Sequence, residues 1–170
     1  MPRTKSLTFA LFLAVPLFAF AAGQHEHEHG HGHDHGAMGK PQPIKVELKD
    51  GKKWPTDLPL RKGMSTIREV TATTMANAHA GKESDALYAD AAKRIDRELA
   101  KIVQNCKLDP DADAQLHVVI SEMMAASGVM AGKAPAKPRM DGLHRMAEAL
   151  DAYGTHFAHA GWKGMDIPQQ

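Results

Sequence analysis

Six histidines stand at alternate positions near the start of the chain: His25, His27, His29, His31, His33 and His35. Glu26, Glu28 and Asp34 occupy three of the intervening positions and add hard oxygen donors. Imidazoles alternating along a flexible chain can wrap around Cu²⁺, Ni²⁺ or Zn²⁺, with affinity rising towards copper. The stretch QHEHEHGHGHDHG offers nothing apolar to bury, so it has no reason to fold and reads as a disordered tail. It is not a purification tag, because its histidines are not contiguous and it follows an intact leader pattern. The tract does not name the metal, and copper, nickel and zinc stay open.

A second set of soft and imidazole donors is scattered through the rest of the chain. Met64, Cys106 and His117 form one group, and Met75, His79, Met140 and His144 form another. Thioether sulfur with imidazole suits Cu(I). Such residues make a site only if the fold brings them together, so the elements that carry them decide the matter.

Periodicity predicts four helices. Asp57 is a plausible N-cap for the first, which places Leu60, Met64, Ile67, Thr71 and Ala78 on one face and closes at Gly81. The second runs from about Ser84 to Cys106 with Tyr88, Ala92, Ile95, Leu99, Ile102 and Cys106 on its face. Asp109-Pro110 opens the third with proline at the first helical position. Leu116, Val119, Ile120, Met123, Ser127 and Met130 follow, ending at Gly132. The fourth carries Leu143, Met146, Leu150, Tyr153 and Phe157 and stops at Gly161. Short connections between helices of this length describe an all-α, up-down-up-down four-helix bundle.

In that topology one pole gathers Met64, Cys106, His117, His156 and His159, and the opposite pole gathers Met75, His79, Met130, Met140 and His144. Met75 with His79, and Met140 with His144, are spaced i, i+4 and share a helix face. At about 100° per residue, Met64 and Cys106 point into the core, while His117 and His156 sit off their core stripes. His117 could swing inward beside Cys106. His159 points outward unless its helix has already unwound.

Composition bounds the function. The 170 residues contain 21 Lys plus Arg against 20 Asp plus Glu, so no basic field exists to hold nucleic acid. Arg3 and Lys5 precede an apolar run from Leu7 to Phe20, and Ala19-Phe20-Ala21 supplies the small residues that a signal peptidase reads. The expected organisation is a signal peptide over 1–21, a His-rich tail and linker over 22–53, and a bundle over 54–165. Without Arg3 and Lys5 the mature chain keeps 19 basic and 20 acidic residues, a formal charge of −1. The run is short for a membrane span and polar sequence follows it, so a periplasmic or secreted protein with no stable membrane insertion is expected. Ile44, Val46 and Leu48 alternate with charges and Asp50-Gly51 signals a turn, which suggests an extended segment lying against the bundle. Cys106 is the sole cysteine, so it is buried and inert, paired between two chains as in a homodimer, or bound to metal.

The stretches WPTDLPLRKGM (54–64), NCKLDPDADAQLH (105–117) and YGTHFAHAGW (153–162) resemble those of small exported DnrO-type proteins. That resemblance covers the bundle and implies its fold and an exported location, with a His-containing segment after the leader. It transfers no catalytic residue. The architecture is also similar, more distantly, to exported cytochromes of the b562 type, which hold haem with a Met early in the first helix and a His late in the fourth. Met64 and His156 match that placement, although the orientation of His156 argues against it. A b-type haem is therefore the alternative cofactor, and an electron carrier the alternative function. The absence of CxxCH excludes covalent haem on the usual motif.

No GxSxG, P-loop, dinucleotide glycine fingerprint or HExxH is present, and the expectation is that the protein is not an enzyme. The sequence thus points to an exported metal-handling protein that exchanges metal with a transfer partner. A partner-binding bundle with an incidental tail stands beside it.

Overall fold

The computed structural model describes residues 44–165. The expected leader and all six alternating histidines lie outside the described residues. Those described belong to one unit, Lys40–Gln170, and form four helices with no strand among them. The helices are α1 (Leu58–His79), α2 (Asp85–Asn105), α3 (Pro110–Met130) and α4 (Arg139–His156).

Each boundary has a local cause. The Asp57 carboxylate accepts the Leu60 N–H at 2.8 Å and Pro59 occupies the first turn, which starts α1. Gly81 at φ +71° and Gly132 at φ +79° turn the chain away just beyond α1 and α3, in the left-handed region that glycine enters without a Cβ penalty. Ser84 caps α2 through its hydroxyl on Leu87 N–H at 3.1 Å. Asp109 precedes α3 without a side-chain cap bond, and Asp111 and Asp113 in the first turn complement the helix dipole instead.

Contacts at the ends show that consecutive helices run antiparallel. Asp57, before α1, accepts the Lys107 N–H at 2.7 Å, just past the end of α2. At the other pole Arg139, opening α4, donates to Met130 O at the end of α3 at 2.7 Å and pairs with Asp85 at the start of α2 at 2.9 Å. Each helix packs on the next in sequence, and α1 also packs on α4, closing the ring. The core is aliphatic and methionine-rich: Leu60, Met64, Ile67, Ile95, Leu116, Met123, Met130, Leu143, Met146 and Leu150 are all fully buried. Every residue placed on a core face by periodicity is buried except Cys106, which is half-buried.

Two segments outside the helices pack on the bundle. Residues 44–53 belong to the folded unit and lie extended against the helices. Val46 and Trp54 are buried, Glu47 N–H donates to Gln115 Oε1 at 2.9 Å, and Trp54 Nε1 donates to Glu47 O at 2.6 Å. Asp50 and Gly51, at φ 50° and 74°, form the tight turn that joins Lys49 to Lys52. Helix α4 also ends at His156, not Gly161. Trp54 N–H donates to His156 O and Ala158 N–H donates to Trp54 O, both at 2.8 Å, which pulls Phe157 into an extended pairing beside Trp54. Continuing the helix would forfeit these bonds for a backbone that is partly buried here.

Candidate functional site

The pole where α1 begins and α2 and α4 end carries the densest polar chemistry among the described residues. Asp57 is its hub: one carboxylate oxygen takes Leu60 N–H, and the other takes Lys107 N–H. Cys106 caps the end of α2 beside it. Burial, then the neighbouring Asp57 charge and hydrogen bond, and finally Asp113, push the Cys106 thiol up to about 12. The sulfur therefore stays protonated and donates to a carboxylate, which is the opposite of the thiolate that metal binding or nucleophilic attack requires. At pH 7.5 Cys106 should react with an aromatic disulfide reagent roughly a thousandfold more slowly than a cysteine of ordinary pKa. Timed thiol labelling of the native protein measures this, and labelling at the rate of a free cysteine would contradict it.

The sequence placed Met64, Cys106 and His117 in one group, and the structure does not assemble it. Met64 is sealed in the core with no exposed surface. His117 does not swing towards Cys106; it is exposed on α3, its Nδ1 2.9 Å from Asp113 O and 3.3 Å from the Asp113 carboxylate. That local partner, one turn back, holds the ring on the solvent side. At the far pole Met75 is buried whereas His79, one turn later, is exposed. Met140 packs against the core with the Tyr88 hydroxyl 3.9 Å from its sulfur, and His144 is half-buried. Among the described residues no three His, Cys, Asp or Glu side chains gather in an arrangement that could hold a metal ion.

Haem does not fit the residues suggested for it. His156 Nδ1 lies 2.7 Å from Ala152 O, which holds the ring along its own helix. Met64 is fully buried in the core, and Tyr153 and Phe157, stacked with centroids 5.3 Å apart, are fully buried at the end of α4.

Sequence reasoning missed the group that the early end of α4 creates. Residues 157–165 fold back as a strap across α1 and α4. His159 Nδ1 sits 3.0 Å from the Tyr153 hydroxyl, and its Nε2 is 3.5 Å from Ser65 Oγ. Trp162 packs edge-on against Tyr153 at 4.8 Å and tilted against His159 at 5.0 Å. The indole lies directly on Gly154, where a Cβ would collide with it. Its Nε1 is buried with no hydrogen-bond partner among the described residues. Burial and the nearby Arg61 guanidinium hold His159 below its ordinary pKa, so the ring is neutral near pH 7. Gly154 and the Gly161-Trp162 pair were the available signals, because a glycine inside a helix face invites close packing.

No family model, curated protein or solved structure matches the chain.

Proposed function

We propose that this is an exported metal-capture protein in which the tail binds copper or another divalent ion and the bundle is the folded body that carries it. The observation that carries this reading is the alternation of His25, His27, His29, His31, His33 and His35. Any two or three of these imidazoles, with Glu26, Glu28 or Asp34, can close around one ion at little strain because the intervening residues are small or acidic. Export rests on Arg3 and Lys5, the Leu7–Phe20 run and Ala19-Phe20-Ala21. The protonated Cys106 thiol and the outward His117 favour the tail over the bundle as the source of ligands.

Each imidazole must shed its proton to bind metal, so uptake should depend on pH. Calorimetric titration with Cu²⁺ or Zn²⁺ is expected to show strong uptake at pH 7.5 and progressive loss below about pH 6, near the unperturbed histidine pKa. Undiminished binding at pH 5 would contradict imidazole ligation.

One observation favours a second reading. Val103 on α2 and Met124 on α3 are 58% and 60% exposed, the kind of apolar surface that a partner-binding bundle would use. That reading expects isolated protein to carry no metal and to retain its partner after the tail is removed.

A further inference from the structure

We propose that His159 is a proton-operated latch: its neutral ring holds the strap of residues 157–165 on the end of the bundle, and protonation releases the strap.

The geometry gives the ring two contacts, and the one to Tyr153 requires it to be neutral. Tyr153 is fully buried, so its hydroxyl proton must have an acceptor, and His159 Nδ1 at 3.0 Å is the one beside it. The tautomer that accepts there carries its proton on Nε2, which faces Ser65 Oγ. A protonated ring has donors on both nitrogens. Tyr153 can then only accept from it, and the phenol proton is left buried without a partner.

The charges around the ring reinforce this. Arg61, on α1, is the cation that disfavours a second positive charge at His159. Arg68, also on α1, donates to Lys163 O at 2.5 Å and Gly164 O at 3.0 Å, and Lys163 adds a further cation on the strap itself. From the segment before α1, Lys53 reaches Gly154 O at 2.6 Å. The carboxylates at this end are committed elsewhere: Asp57 to Leu60, Lys107 and Cys106, and Asp151 of α4 to the Met165 N–H at 2.8 Å. No carboxylate partner to His159 is among the described hydrogen bonds or ion pairs to favour an imidazolium.

One contact of the strap is imperfect. Trp162 Nε1 pays a desolvation cost with no bond in return, which offsets part of the packing of the indole on Gly154. The strap's other ties lie towards its two ends, where Ala158 N–H donates to Trp54 O at 2.8 Å, Thr56 Oγ1 donates to Ala158 O at 2.6 Å, and the Arg68 and Asp151 side chains hold the backbone of residues 163–165.

The sign follows from proton linkage. The seated ring has a pKa below the ordinary 6.5 and the released ring returns to that value, so release takes up a proton. The closed strap is fully favoured above about pH 6.5. It loses stability as pH falls below that, until the seated ring itself protonates.

Hydrogen exchange of the metal-free protein between about pH 7.5 and pH 5 tests this, with rates corrected for the intrinsic effect of pH. Protection of the Trp162 amide, bonded to His159 O, is expected to fall as pH drops below 6.5, by no more than about tenfold per pH unit, the limit for one proton. Helix-interior amides should keep their protection. In His159→Gln, whose side-chain oxygen can still accept from Tyr153 but does not titrate, the fall should vanish. Flat protection in the native protein, or the same fall in His159→Gln, would overturn the latch. If the glutamine strap is unprotected even at pH 7.5, the native ring decides by its own NMR titration. A pKa below 6.5 together with the Trp162 exchange slope sustains the proposal, and a value at or above 6.5 defeats it.

Discussion

Replacing His25, His27, His29, His31, His33 and His35 together with alanine should weaken copper uptake by at least about a hundredfold. Several donors on one short chain act at high effective concentration on a single ion, and linking binding groups in this way yields roughly 10²–10⁴ over isolated ones. The variant keeps every residue of the folded unit, so its helical circular dichroism and thermal midpoint should match those of the native protein. Replacing three of the six should give an intermediate loss, because the remaining imidazoles can still chelate. Equilibrium dialysis against a competing chelator measures both. Uptake that survives all six substitutions would move the ligands away from the histidines.

The largest loss of stability is expected from Gly142→Ala. Helices α3 and α4 make the most extensive contact in the bundle, and Gly142 of α4 lies against the backbone of α3. A Cβ at this position would lie 2.7 Å from Ala126 O and from Met130 N, and 2.9 Å from Val129 Cβ. Two of these three are backbone atoms of a neighbouring helix, so relief requires the helices to move apart rather than one side chain to rotate. Overpacking of that kind costs on the order of 3 kcal/mol. For a folded unit of this size that lowers the thermal midpoint by roughly 10 °C. Gly128→Ala is the matched comparison on α3: its nearest neighbour is Lys133 Cδ at 4.0 Å, and the gain in helix propensity should stabilise it by about 0.5–1 kcal/mol. Calorimetric melting of the two variants should therefore shift in opposite directions. Equal midpoints would mean that the helices are not in backbone contact at Gly142.

Much of this fold was legible because its core obeys helical periodicity. Leu60, Met64 and Ile67, and likewise Leu116, Val119, Ile120 and Met123, recur at spacings that leave one face to bury, and they are buried. The cap was equally legible at Asp57, where a short oxygen-bearing side chain precedes an apolar periodic run, and the start of α2 was legible near Ser84. The end of α4 was not. Phe157 continues the apolar stripe of Leu150 and Tyr153, so the local pattern says helix, whereas a backbone pairing to Trp54 about a hundred residues earlier turns it extended. That long-range pairing moves His159 off the helix surface and onto Tyr153. Side-chain direction in the candidate site was partly legible too. The helical wheel set His117 off the core stripe of α3, and the Asp113 carbonyl and carboxylate one turn earlier hold it outward. The protonation state of Cys106 lay beyond the sequence, since it depends on Asp57 reaching across from another helix.

On the proposed function the metal ligands lie in the tail and none in the bundle. The most direct test is a competitive copper titration, with Cu(II) in air and Cu(I) under reducing conditions. It compares the chain lacking residues 1–21 with one beginning at Lys40, where the folded unit begins. The account predicts that tight binding is present in the first and disappears in the second, while the helical signal of the shorter chain is unchanged. Tight binding by the shorter chain, abolished by Cys106→Ala or Met75→Ala, would contradict it and place a copper site inside the bundle.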